Sequence, residues 1–486
     1  MLRALSPMSS TFSWPRPATA TQLADLRREA KALQQLALPL ILVYAGYNVM
    51  GLVDTIIVGR LQASALGAVG IGNGIFNAFA LIGLGAVLGV DPIAAQAIGA
   101  GDEAGARQAL RAGLHVAWLV GVPITAVILG ASLLLSPAGV DAQTAHGATL
   151  FLLSRVTNPV SFALFAAYRS FLQVKGVTRP VVIGMVVSNI TNVIGNLVFI
   201  YGDDGLRSAG LPAVGLPPLG VFGCGLATAL SSLLSVAIVG SAARRLMRGS
   251  GPAAPTAEAH EAPSREPPPS RELVKKVLRL GLPIGFQNLA EVGLFALVAV
   301  LAGRVSAEAA AAHQIAISLA SFTFCVAVGI GTATSVRVGH HVGAGSTAGA
   351  RRAGFLGLGM VAMIMGSFGT AFLVAPTFFT RLLTSDADVV PLGAALLSVA
   401  ALFQVSDGVQ AVALGALRGA GDTRVGLVAN LIGYYLLGLP VAYYWGVVRG
   451  GGVIGLWWGL SAGLTVVALV LSRRFHVISG RKLERV

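Results

Sequence analysis

Apolar residues run in long unbroken stretches along this chain, and polar residues collect between them. Twelve stretches are about 20 residues long, the length a helix needs to cross the hydrocarbon core of a bilayer. They predict spans at 36–58, 64–90, 112–135, 148–171, 180–201, 220–243, 278–302, 309–334, 354–376, 393–416, 425–446 and 452–472. Strict alternation over about ten residues, the mark of a membrane β-strand, is missing. The expected fold class is therefore an all-α polytopic membrane protein. The first 20 residues lack an apolar h-region, so no cleaved signal peptide is expected.

Composition agrees. Of 486 residues, 55% are hydrophobic and 11% charged, against about 25% charged in soluble proteins. A chain so poor in charge cannot offer water an ordinary surface, which argues against a soluble enzyme. The net charge of +14 would fit nucleic acid if it were spread or clustered on one domain. It is not. With residue 1 inside, 28 of the 34 Lys and Arg fall in the termini, the loops and the adjoining span ends of that side. Five fall on the other side, and Arg155 lies within a span. This positive-inside bias places both termini in the cytoplasm of a plasma (inner) membrane, with basic loops against anionic headgroups. The expected partner is membrane lipid, and no nucleic acid. Cys224 and Cys325 sit apart inside apolar runs and read as small packing residues.

The chain also repeats itself. At an offset of 244 residues, Pro39 falls on Pro283, Gly59-Arg60 on Gly303-Arg304, Gly85 on Gly329 and Gly99-Ala100-Gly101 on Gly343-Ala344-Gly345. One inserted residue later, Gly176, Thr178 and Arg179 meet Gly421, Thr423 and Arg424. Each half holds six predicted spans. An even number gives both halves the same orientation, so a pseudo-two-fold should run along the membrane normal. The expected organisation is a cytoplasmic N-terminal tail (1–35), a six-helix bundle (36–245), a cytoplasmic linker rich in Pro, Ala and Glu (246–272), a second bundle (273–474) and a cytoplasmic tail (475–486). Two tethered bundles can rock about a site between them. In the second span, Gly70/Gly74 and Gly85/Gly89 form GxxxG pairs that suit close helix packing or gating.

Charges inside the membrane carry the candidate chemistry, because each costs roughly 2.5–3.5 kcal/mol on insertion scales. Asp54, Glu291 and Asp407 lie well within spans; Asp91 lies at the end of one. A buried carboxyl group can hold a proton, since low dielectric disfavours the charged form. It can also bind a hard cation such as Na⁺ with amide and carbonyl oxygens. Either event changes the local charge by one unit. The alternative is a structural acid paired with an internal base, for which Arg155 is the obvious partner. Asn192 and Asn196 share one face of the fifth span with room to complete an oxygen cage around Asp54, or to hydrogen-bond between helices. Gln287, and His313 with Gln314, are placed to flank Glu291; His313 can shuttle protons or simply pack. Phe76, Phe162, Phe286, Phe403, Tyr434 and Tyr435 can line a cavity for an aromatic cation or form ordinary packing.

Several of these residues stand in a recognisable order. MGLVDTIIVGR ends the first span, GLGAVLGVDPIAAQAIGAGD the second, LPIGFQNLAEVGLFALVAVLAGR fills the seventh, and VSDGVQAVALGALRGAGDTR the tenth. With AAAAHQIAISLASFTFCVAVGIGTATSVRVGHHVGAG in the eighth, the chain from Pro39 to about Arg474 resembles the multidrug and toxic compound extrusion (MATE) family, in its NorM-like branch. The resemblance implies export of organic cations and amphipathic drugs by secondary active transport, driven by Na⁺ or H⁺ with no other cofactor, by a monomer. It also implies that Asp54, Glu291 and Asp407 carry coupling-ion or substrate function, and that Asn192 and Asn196 match a fifth-span amide pair. The chain departs at Phe403, where NorM-like members can carry Tyr, and at Asn196, where some archaeal-type members have Asp.

Two other functions would leave different traces. A flippase for lipid-linked saccharides favours a cationic central cavity and helices beyond twelve, and neither is read here. A polytopic membrane enzyme needs a nucleophile–base or metal-ligand cluster. HExxH is missing, and His340-His341 has no convincing third ligand.

Overall fold

In a computed structural model, residues 20–208, 210, 212–249 and 268–486 are described. The start of the expected N-terminal tail and most of the expected linker lie outside them. Among the described residues there is no strand. Eleven continuous helices and one bent pair give twelve candidate spans. The first half holds α1 (Ala20–Val58), α2 (Ser64–Gly99), α3 (Glu103–Leu133), α4 (Ala142–Ser154 with Asn158–Val174), α5 (Arg179–Tyr201) and α6 (Gly220–Gly249). The second holds α7 (Arg271–Val305), α8 (Ala307–Gly343), α9 (Thr347–Val374), α10 (Val389–Gly419), α11 (Arg424–Val448) and α12 (Gly452–Ile478).

Three details differ from the expected spans. Residues 20–35, expected as tail, extend α1; there Glu29 takes both a 2.8 Å and a 2.6 Å hydrogen bond from Arg337 of α8. The fourth span bends by 43° between Ser154 and Asn158. Pro159 opens its second limb and has no N–H to give the carbonyl of Arg155, so the first limb's ladder stops there. In α11 the turns widen to π-helix over Leu431–Gly438 and Tyr444–Val448. Pro440 lies between the two and interrupts the regular ladder.

The repeat survives as geometry. Gly85 of α2 lies against the backbone of Gly285 in α7, and Gly329 of α8 against Ile41 in α1. Gly99 lies against the His340 carbonyl, and Gly343 against that of Gln96. The members of each pair of contacts are related by the 244-residue offset, as a two-fold requires. A Cβ at Gly85, Gly99 or Gly343 would strike main chain, so these positions need glycine for close approach. Gly89 also meets α7, whereas Gly70 and Gly74 have nothing within 4 Å. One GxxxG pair therefore builds the seam between the halves and the other does not.

The seam is closed at the end of the molecule that carries the linker. Among the described residues, hydrogen bonds joining the halves run from Asn48–Cys325 (2.8 Å) and Tyr44–Thr332 (3.2 Å) to that end. There Gln96 donates to the Gly419 carbonyl (3.0 Å). The C-terminal stretch crosses the same seam: Val486 N–H donates to Gln96 (2.7 Å) and Arg485 to Asp102 (2.8 Å). The Gly105 N–H and Arg485 hold the Asp102 carboxyl below the usual carboxylate range. Outward faces stay apolar, as with Ile183, Val186, Ile190 and Ile194 along α5, a stripe suited to acyl chains.

Candidate functional site

A cavity of about 540 Å³ lies between the halves, on the open side of the seam. Its walls obey the repeat. Tyr44 and Asn288, Tyr47 and Glu291, Asn48 and Val292, and Leu88 and Thr332 are offset pairs, and all eight residues line it. The cavity therefore sits on the pseudo-two-fold, where rocking of one half against the other would reshape it most. Its lining is symmetric in position and unlike in chemistry: the first half supplies tyrosines where the second supplies an amide and an acid.

Glu291 of α7 and Asp407 of α10 both face this cavity and lie within electrostatic reach of each other. Asp407 is 5% exposed. Among the described residues neither acid has a basic group within ion-pair distance, 4.0 Å. Glu291 accepts a long 3.4 Å hydrogen bond from Gln410, whose carbonyl oxygen accepts from Tyr434 (2.7 Å). Two like charges in a low-dielectric cavity repel, and a bound proton or cation removes that cost. Gln287 and Phe403 also line the cavity; Phe403 packs edge-on to Phe295 (6.1 Å between centroids). The phenol absent at position 403 has a counterpart one shell out, in Tyr434.

His313 does not flank Glu291. It is outside the cavity lining and accepts at Nδ1 from the Trp457 indole at 3.1 Å. The hairpin geometry explains this. Glu291 lies about 21 Å of helix rise before the α7–α8 turn and His313 only about 9 Å after it. Of the aromatic candidates, only Phe403 reaches the cavity, whose other rings are Tyr44, Tyr47, Phe295 and Phe324. Phe286 is exposed on the outer face.

Asp54 occupies a different place, walled off between α1, α5 and α6. It is 4% exposed. Asn196 donates to its Oδ1 at 2.6 Å and Thr228 to its Oδ2 at 3.3 Å. Asn192 accepts from Asn196 (3.2 Å) and donates to Thr228 (3.3 Å). The predicted trio is thus assembled, but its amides turn N–H groups toward the acid. The one orphan is Asn196 Oδ1, a buried acceptor without a partner. Arg155 is not ion-paired with Asp54: it donates to Asn73 (2.6 Å) and stacks over Phe76 (4.4 Å) and Phe151 (4.9 Å).

The sequence reading missed two cavity residues. Arg169 of α4 and Arg418 of α10 line the linker-side end of the cavity. The charge count of the sequence groups both with the loops, but they make this end of the cavity cationic, against the expectation of a cavity without a cationic lining. Their spacing from the predicted span ends, a turn or less, was the available signal. His340 and His341 serve the seam: His340 Nε2 lies 3.0 Å from the Val174 carbonyl and His341 Nε2 3.2 Å from Glu29. Among the described residues no group of three His, Cys, Asp or Glu could hold a metal ion.

Comparison with known proteins agrees with this architecture. A family model described as MatE matches twice, at residues 39–198 and 283–444, and the two matches begin at the repeat-related Pro39 and Pro283. The chain is 33% identical to a probable multidrug resistance protein NorM of Pseudomonas putida, over 92% of this chain and 94% of that protein. It is 34% identical to a probable multidrug resistance protein NorM of Pseudomonas aeruginosa, over 94% and 91%. Among solved structures, a MATE in the bent conformation superposes with a TM-score of 0.81 at 20% identity, covering 95% of this chain and 98% of that one. An outward-facing multidrug resistance MATE family transporter of the MOP superfamily gives 0.79 at 21%, covering 95% and 99%.

Proposed function

The chain belongs to the MatE family, and on that premise we propose that it is a secondary active multidrug transporter and not an enzyme. It exports organic cations and amphipathic drugs across a bacterial inner membrane in exchange for Na⁺ or H⁺. The linker side is cytoplasmic, with both termini there, so the closed seam corresponds to a state open to the outside. Residues 36–245 and 273–474 are the two moving bundles, joined by the 246–272 linker, and one chain suffices because the cavity is complete within it. The observation that carries this reading is the pair of acids, Glu291 and Asp407, facing a cavity on the pseudo-two-fold with no base among the described residues in ion-pair reach.

The steps follow from charge. With the cavity open to the cytoplasm, ionised Glu291 and Asp407 attract a cationic drug, and Phe403 and the tyrosines supply apolar and π contact. After rocking, a proton or Na⁺ arriving from outside neutralises the acids, and drug affinity falls. Linkage makes the effect mutual: bound drug weakens ion binding by the same factor. Gln287 and Gln410 are the amides placed to complete an ion's surroundings in the second half. Asp54 with Asn192 and Asn196 is a second coupling site, where an arriving proton or cation would compete with the Asn196 and Thr228 donors. The test is dye flux in proteoliposomes under an imposed Na⁺ gradient or an imposed pH gradient. Uphill export under one of them is expected. Flux that only ever runs down the dye's own gradient would reject the reading.

A further inference from the structure

Residues 481–486 lie across the closed end of the seam, and nothing in the exchange scheme uses them. Two hydrogen bonds at that end are related by the repeat. Gln96 of α2 donates to the Gly419 carbonyl of α10 at 3.0 Å. Its offset counterpart, His340 of α8, lies 3.0 Å from the Val174 carbonyl at the end of α4. Only the first of these is reinforced by the tail. The Val486 N–H donates to Gln96 Oε1 at 2.7 Å, so both polar atoms of a fully buried amide are satisfied. Among the described residues, no hydrogen bond from 481–486 reaches His340.

The tail is seated on both halves. Leu483 packs against the core of the second half and Val486 against that of the first. The Val486 side chain also fills the space over Gly421, in the turn between α10 and α11, where a Cβ would strike it. Beside it, Arg485 donates to Asp102 at 2.8 Å, the residue that caps α3 by accepting from the Gly105 N–H. The six residues therefore reach from the second half, which carries them on α12, to α2 and α3 of the first. If the halves part at this end, Val486 must leave either Gln96 or Gly421, and Arg485 must leave Asp102.

We propose that residues 481–486 are a latch that holds the linker side shut and biases the transporter toward its outward-open state. The proposal rests on the transport reading given above, in which the halves rock. Contacts made in one state and lost in the other are what shift a two-state population. The exposed Arg485 pair contributes little by itself. The bond to Gln96 contributes more, because removing its donor leaves a buried amide oxygen without a partner in the closed seam. In the latched state the cavity faces outside, so the driving ion loads before the drug entrance opens.

The test measures the width of the seam in the full chain, in nanodiscs, by double electron–electron resonance. Nitroxides are placed through Ala104→Cys and Ala348→Cys, which are exposed, repeat-related positions at the starts of α3 and α9; the native Cys224 and Cys325 are buried. The readout is the ratio of long to short distances. Deleting residues 481–486 should raise it about tenfold. Arg485→Ala with Val486→Gly, which keeps the chain length, should raise it about threefold and carries the decision if the shortened chain does not fold. Gln96→Ala with His340→Ala cuts both repeat-related bonds and serves as the opening control. Tail variants that leave the ratio unchanged while this control raises it overturn the latch only. A rise on deletion with none in the doubly substituted tail also overturns it, since the Arg485 and Val486 contacts would then hold nothing. One unchanging distance in every variant, the control included, overturns the rocking of the halves and the latch together.

Discussion

Asp54 and Asp407 are acids of the same chain, buried to nearly the same degree, in halves that share one ancestral frame. Asp54 is met by Asn196 and Thr228, and those donors are met by Asn192. Asp407 faces open cavity beside a second acid. The repeat fixes where helices go, and it leaves the chemistry of each half free to diverge. Tyr47 and Glu291 hold equivalent places on the cavity wall, yet only one of them can change charge. A carboxylate wrapped in donors is held in its place by them. A carboxylate without donors is available to an ion or a cationic drug. On the proposed reading, charge is exchanged at lower cost in the second half, and an ion reaching Asp54 competes with the donors that already hold it.

Perturbing each side of this contrast should give effects of very different size. The largest belongs to the double variant Glu291→Gln with Asp407→Asn. Gradient-driven dye export should fall at least a hundredfold, about 2.7 kcal/mol, while membrane expression persists; drug resistance in an efflux-deficient host reads the same loss. Next comes the seam that both halves share. Gly85→Val puts a side chain into the Gly285 backbone and should cost roughly 1–3 kcal/mol of stability or more, seen as a lower Tm. Gly70→Ala, with nothing within 4 Å, should leave Tm within error of wild type. Asn196→Ala strips Asp54 of its shortest hydrogen bond and should cost about 1–3 kcal/mol, whereas Gln410→Ala removes only a 3.4 Å contact to Glu291 and should cost less. Were Gln410→Ala the more damaging of the two, the contrast between wrapped and open acids would fail. A small effect is also expected from Arg485→Ala, whose exposed pair with Asp102 is worth about 0–1 kcal/mol.

Much of this was legible in the residues. Runs of apolar length gave the spans, and the 244-residue offset gave the repeat; that Gly85 and Gly329 stand where only glycine lets main chains of the two halves touch is visible only in the fold. The acids were legible too, since a carboxylate inside an apolar run is conspicuous. Side-chain partnership was not. Whether Asn196 turns its oxygen or its N–H toward Asp54 depends on α5 and α6 packing together, and the pattern of a single helix says nothing about that. Arg169 and Arg418 escaped because a charge within a turn of a span end looks the same as one in a loop. His313 was misplaced by treating neighbouring helices as neighbours along their whole length; counting the rise on each side of the α7–α8 turn separates it from Glu291. The Arg155 bend and the widened turns of α11 follow from Pro159 and Pro440, which a uniform count of span length passes over.

The central claim is that Glu291 and Asp407 exchange a bound ion for a bound drug. It is tested most directly by titrating a cationic dye onto wild-type and doubly substituted protein while the Na⁺ concentration, and separately the proton concentration, is raised. The account predicts that one of these ions weakens dye binding to the wild type in proportion to its own occupancy. It predicts that Glu291→Gln with Asp407→Asn abolishes that competition. Dye binding to the wild type that neither ion displaces, or competition that survives the double substitution intact, would contradict it.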